Sequence, residues 1–162
     1  MLLRQKFHRY FAINFVMMLD EMSLNNISKD DENFLKEFLR DFYRQVIKIR
    51  NYVNFEKILT EWIKECFDYN KKDSKIILKL MEDHEESESW FSSLIGFFYE
   101  HCMGDTKNKS LELYLLSINK NENKKLTSLY QLLNIIIAKY LLSLFYYKDT
   151  ILYKRNFIEK EC

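Results

Sequence analysis

Across 162 residues there is no proline, and glycine occurs only twice, at Gly96 and Gly104. Proline and glycine are the strongest breakers of helices and the usual suppliers of tight-turn geometry. A sheet built of hairpins would have almost nothing to turn on. The 13 phenylalanines and 11 tyrosines favour strands by propensity, but they recur at three- and four-residue steps instead of alternating, which is helical spacing. These features predict an all-α fold.

The same patterning orders the chain. Residues Arg4 to Glu21 form an expected helix with Phe7, Tyr10, Phe11, Ile13, Met17 and Met18 near one side. Ser28, followed by Asp31 and Glu32, caps a second helix whose stripe is Phe34, Leu35, Phe38, Leu39, Phe42, Val46, Ile49 and Val53. Asn54 opens a third through Ile58, Leu59, Trp62, Ile63, Cys66 and Phe67, and Asn70 to Asp73 breaks it. A short helix from Ser74 to His84 follows, then an acidic turn over Glu82 to Glu88. Ser89 caps a helix starting at Trp90, with Phe91, Leu94, Ile95, Phe98 and Cys102 on its buried face. Gly104 stops it as a left-handed residue. A partner helix runs from about Lys107 to Ile118, and a long apolar one from about Leu126 to Tyr147. Inside the Trp90 helix, Gly96 costs roughly 1 kcal/mol against alanine. Close approach of the next helix is the physical reason to keep it there.

The residues of this hairpin resemble the Sel-one-like repeat, a relative of the tetratricopeptide repeat. Ile95-Gly96, Tyr99, Gly104, Lys109-Ser110 and Leu113-Tyr114 fall in the order of that family's pattern, with Cys102 where its first turn glycine belongs. A weaker copy follows at Ala138, Tyr140, Leu142, Ser143 and Tyr146, with Ser143 in the place of Gly96 and Asp149 in place of a turn glycine. The resemblance implies antiparallel helical hairpins stacked as a short α-solenoid. One clear repeat covers about residues 90–118 and a partial one about 134–162, within a repeat region 74–162 preceded by cap or linker helices over 1–73. It implies a non-enzymatic scaffold or adaptor for a protein or peptide partner, of the kind often found beside protein kinase domains in signalling proteins. The long C-terminal helix is the expected route of self-association, because a helix apolar on several faces is usually sandwiched between neighbours.

Composition narrows the function classes. Lysine and arginine number 25 against 24 acidic residues, a net charge of +1, which gives no electrostatic case for a nucleic-acid partner. Three scattered cysteines, Cys66, Cys102 and Cys162, suit reduced thiols in a cytoplasmic protein better than a disulfide framework. No uninterrupted apolar run reaches the ~18 residues of a membrane span. The opening Arg4, Lys6 and Arg9 before Phe11 to Leu19 imitate a signal peptide but lack a small-residue cleavage site.

Chemistry finds little purchase. His8, His84 and His101 carry no companion ligands at metal-binding spacing, so they are read as ordinary, partly exposed histidines. No metal or cofactor is expected. Cys102 and His101 are adjacent on a helix and point some 100° apart, a poor arrangement for sharing a proton. There is no phosphate loop, and His-Arg-Asp and Asp-Phe-Gly are absent. The acidic run Glu82 to Glu88 reads as a solvated turn, and Tyr99, Tyr114, Tyr140 and Tyr146 as hairpin core with the hydroxyl at the surface. No pattern separates binding side chains from solvated ones. The competing class is a small helical-bundle enzyme or ligand-binding protein with a pocket between aromatic-rich helices. Geometry discriminates: a scaffold has a shallow groove, whereas a bundle enzyme has a deep pocket with convergent polar groups.

Overall fold

The computed structural model describes residues 27–49, 54–102, 107–120 and 125–161. The helix expected over Arg4 to Glu21, His8, the turn at Gly104 and Cys162 lie outside them. Among the described residues the chain is helical throughout, with no strand: α1 (Lys29–Lys48), α2 (Phe55–Asn70), α3 (Ser74–Glu82), a π-helical turn (Ser87–Phe91), α4 (Ser92–His101), α5 (Lys107–Asn119) and α6 (Leu129–Glu161).

Local chemistry sets the boundaries of the first helices. The Ser28 hydroxyl accepts the Asp31 N–H at 3.1 Å, and Asp30, Asp31 and Glu32 occupy the first turn of α1, where carboxylates complement the helix dipole. At the end of α2, Lys71 takes a left-handed conformation with φ of 53°, and the Lys72 N–H returns to the Phe67 carbonyl at 2.9 Å. Asp73 then caps α3 by accepting the N–H groups of Lys75 (2.9 Å) and Ile76 (3.1 Å). Lys72 reaches back to Asp31 at 2.6 Å, tying the start of α1 to this turn. Asn54 precedes α2 without a side-chain capping bond.

One hydrophobic cluster joins all the elements. Leu35, Phe38, Leu39, Phe42 and Val46 of α1 meet Leu59, Ile63 and Phe67 of α2, and both meet Phe97 and Phe98 of α4. Phe38 stacks parallel to Trp62 at 5.8 Å and lies 5.1 Å from Phe67, while Phe42 meets Phe97 edge-on at 5.3 Å. The helices before Asp73 therefore share their core with those after it.

The hairpin forms at α4 and α5. Gly96 is buried, and a Cβ added there would lie 2.7 Å from Tyr114 Cε1, 3.0 Å from its Cδ1 and 3.3 Å from Leu113 Cβ. The space that the glycine vacates is thus filled by the tyrosine ring of the antiparallel neighbour rather than by that neighbour's main chain.

The entry into the hairpin differs from expectation. Ser89 does not cap a helix at Trp90; it sits within the π-helical turn, and α4 begins at Ser92. The wider turn leaves carbonyls without their usual α-helical partners. Asn134 of α6, fully buried, donates through Nδ2 to the Ser89 carbonyl and to Ser92 Oγ, each at 3.0 Å, and accepts the Ser93 N–H through Oδ1 at 2.9 Å. Ser92 Oγ also shares a 2.6 Å hydrogen bond with Ser117 Oγ of α5. One buried amide therefore holds the turn against α6.

The C-terminal expectation is corrected as well. Residues 134–161, where the partial repeat was expected, lie in one unbroken helix, and Asp149 makes no turn. Neither glycine nor proline is present to stop the helix there. Ala138 is buried and the Tyr140 ring packs 5.4 Å from Phe55, whereas Ser143 is exposed and Tyr146 is 51% exposed.

Candidate functional site

Two features of the described surface are not accounted for by the core. The first is a polar cluster where four helices meet. Glu100 and His101 end α4, Glu56 lies in the first turn of α2, Tyr114 comes from α5 and Lys148 from α6. His101 Nε2 lies 3.6 Å from Glu56 Oε1 and 3.5 Å from Glu100 Oε2. The buried Tyr114 hydroxyl donates to the same Glu100 oxygen at 2.9 Å. Desolvation first, then the Glu100 charge, holds the Tyr114 phenol well above its ordinary pKa, so it stays a donor. Lys148 forms an ion pair with Glu56 Oε1, and burial pushes its ammonium pKa below the usual lysine range. The ring of His101 lies 4.5 Å from that of Phe97, tilted by 46°. Among the described residues this is the one group of three metal-ligating side chains with donor atoms all within 4.8 Å.

The second feature is the outer face of α6. Its inner side carries Leu133, Asn134, Ile137, Ala138 and Leu141 into the core, while Leu129 (53% exposed), Leu132 (39%) and Ile136 (37%) line the opposite side at helical spacing. Lys139 and Ser143 interrupt this stripe, and Tyr146 and Tyr147 resume it. The helix has apolar surface on two sides and a neighbour on only one of them among the described residues. Leu129–Lys148 is also long and apolar enough to cross a membrane by length and composition alone. Counting uninterrupted apolar residues missed this, because Gln131, Asn134 and Lys139 punctuate the segment.

A half-open groove of about 270 Å³ lies between α2 and the start of α3, lined by Thr60, Ile63, Lys64, Phe67, Asp73 and Cys102 among others. Cys102 faces this groove and His101 faces Glu56 and Glu100, so the adjacent pair diverges. Although its surface is exposed, desolvation by the surrounding side chains pushes the Cys102 thiol pKa up to about 11, which keeps it protonated near neutrality.

The other residues singled out by sequence fall as follows. Gly96 and Tyr114 face each other across the hairpin. The Tyr99 hydroxyl donates to Glu82, and Lys109 Nζ lies 3.5 Å above the Tyr99 ring. Glu88 of the acidic run pairs with Lys120, so two of that run's carboxylates hold neighbouring elements. His84 is buried instead of partly exposed. Its Nδ1 accepts the Glu86 N–H at 2.9 Å, and its ring lies 5.3 Å from Trp90 and 5.1 Å from Phe91. Burial lowers its pKa from 6.5, against the opposing pull of Glu32, Glu85 and Glu86. Glu56, Lys148 and Asn134 were not visible as functional positions in sequence. Their partners are 41 to 92 residues away, and no spacing rule links them.

Comparison with protein families, with characterised proteins and with solved structures found no match.

Proposed function

We propose that this chain is a non-enzymatic interaction module, a scaffold or adaptor that engages a protein or peptide partner through the outer face of α6. The observation that carries this reading is the stripe Leu129, Leu132 and Ile136, each more than one-third exposed, on a helix whose other side is core. Scattered exposed leucines are ordinary, but apolar side chains contiguous along one helix mark a docking face. The likeness to Sel-one-like repeats at Gly96, Tyr99 and Tyr114 supports the same class. A reducing, cytoplasmic setting accords with Cys66 and Cys102 as free thiols.

The test compares the intact chain with a Leu132→Glu/Ile136→Glu variant. Both are used for affinity capture, for sedimentation across a concentration series and for flotation with neutral liposomes. The reading predicts a partner or a second copy bound by the parent and lost from a variant that remains folded. Equal capture by both chains would contradict it, and flotation of the parent alone would assign the stripe to lipid instead.

A further inference from the structure

We infer that Glu56, Glu100 and His101 form a binding site for a divalent transition metal of the zinc type, which competes with Lys148 for the site. This is independent of the docking face on α6.

The distances between donors carry the argument. A tetrahedral ion with bonds of about 2.0–2.2 Å to nitrogen and oxygen sets its donors about 3.4 Å apart. His101 Nε2 stands 3.6 Å from one carboxylate oxygen and 3.5 Å from the other. A charge-assisted hydrogen bond would have drawn the imidazole to one oxygen at about 2.8 Å. Instead it stands nearly equidistant from both, as one vertex of a triangle whose donors all lie within 4.8 Å. Consecutive residues on a helix leave it about 100° apart, yet the long Glu100 side chain bends back to bring its Oε2 within 3.5 Å of His101 Nε2, and Glu56 closes the group from α2.

The surroundings resemble those of a metal site. Metal-bound carboxylates are oriented by outer hydrogen bonds, and the fully buried Tyr114 supplies one to the very Glu100 oxygen that faces His101. One imidazole with two carboxylates suits zinc-like ions, leaving a fourth position for water. Lys148 contacts the Glu56 oxygen that would be a ligand. Its ammonium stands in for a metal cation and must leave when the metal binds. The ion would clamp α2 to α4 and release α6 from Glu56, which makes the site structural or regulatory, with no reaction required.

The experiment uses the full chain with its thiols reduced. Co²⁺ binding is followed by visible and near-ultraviolet absorption and Zn²⁺ binding by calorimetry, in the parent and in His101→Ala, Glu56→Gln and Lys148→Met. One equivalent should bind with the visible bands of tetrahedral Co²⁺ and no thiolate charge-transfer band. His101→Ala and Glu56→Gln should each weaken binding ~100-fold, at or above the loss from removing an outer-shell partner. Lys148→Met should tighten it by about five-fold, the worth of a half-exposed ion pair. Thermal melts confirm folding, and should His101→Ala fail to fold, Glu56→Gln and Lys148→Met decide the matter. A thiolate band, equal affinity in Glu56→Gln, or no binding by either the parent or Lys148→Met overturns the proposal.

Discussion

Gly96→Ala adds a single methyl group and tests the hairpin most sharply, because two effects of opposite sign act on it. Helix propensity alone makes the variant more stable by roughly 0.5–1 kcal/mol. Packing opposes this. The new Cβ would sit 2.7 Å from Tyr114 Cε1 and 3.3 Å from Leu113 Cβ, distances that require something to move. The Tyr114 ring has little freedom: it is fully buried and its hydroxyl is tied to Glu100 at 2.9 Å. Leu113 Cβ is one bond from the main chain, so yielding there means shifting α5. Overpacking of this kind costs about 1–3 kcal/mol, and a displaced ring also strains a hydrogen bond to a charged group worth about 1.5–3 kcal/mol. The net expectation is destabilisation by about 1–3 kcal/mol, or a Tm lower by roughly 3–10 °C for a chain of this size. Urea unfolding followed by circular dichroism measures it, and Gly96→Leu should cost more, about 2–4 kcal/mol. Removing the ring by Tyr114→Ala should cancel most of the penalty for Gly96→Ala in a double-mutant cycle. If Gly96→Ala were as stable as the parent or more so, propensity would have won and the contact would not be as described.

Three further outcomes are expected. Asn134→Leu strands the buried Ser93 N–H and takes a donor from the half-buried Ser89 carbonyl, and should cost about 1–3 kcal/mol in chemical denaturation, against near neutrality if solvent reaches the Ser93 N–H. His84 has a folded pKa below 6.5, so on acidification the unfolded chain takes up the proton first. Stability is therefore complete above about pH 7 and falls as pH drops through 6.5 toward the folded pKa. His84→Asn, which can still accept the Glu86 N–H, should flatten that part of the pH profile; an unchanged slope would exclude His84 as its source. Leu132→Glu/Ile136→Glu should alter stability by under about 1 kcal/mol in the isolated chain, and a larger loss would mean that the stripe is core.

Much of the helical layout was legible because it depends on neighbours in sequence. The Ser28 cap, the α1 stripe, the break before Ser74 and the glycine in the hairpin are each decided within about one helical turn. Three features were not. The π-helical turn at Ser87–Phe91 is one residue wider than periodicity implies, and what stabilises it, Asn134, lies more than forty residues on, in an otherwise apolar run. The meeting of Glu56, Glu100, His101 and Lys148 comes from helix packing, which leaves no local spacing to detect. The third is the length of α6: Tyr140, Ser143 and Tyr146 match only the opening helix of a repeat, and with no glycine or proline at Asp149 that helix continues to Glu161.

The docking face is tested most directly by carbene footprinting of α6, read by mass spectrometry, on the free chain and on any complex the chain is captured in. The account predicts strong labelling of Leu129, Leu132 and Ile136 in the free chain and its loss in the complex, with Leu133 and Ile137 unlabelled in both. Equal labelling of the stripe in the two states, or protection confined to other helices, would contradict it.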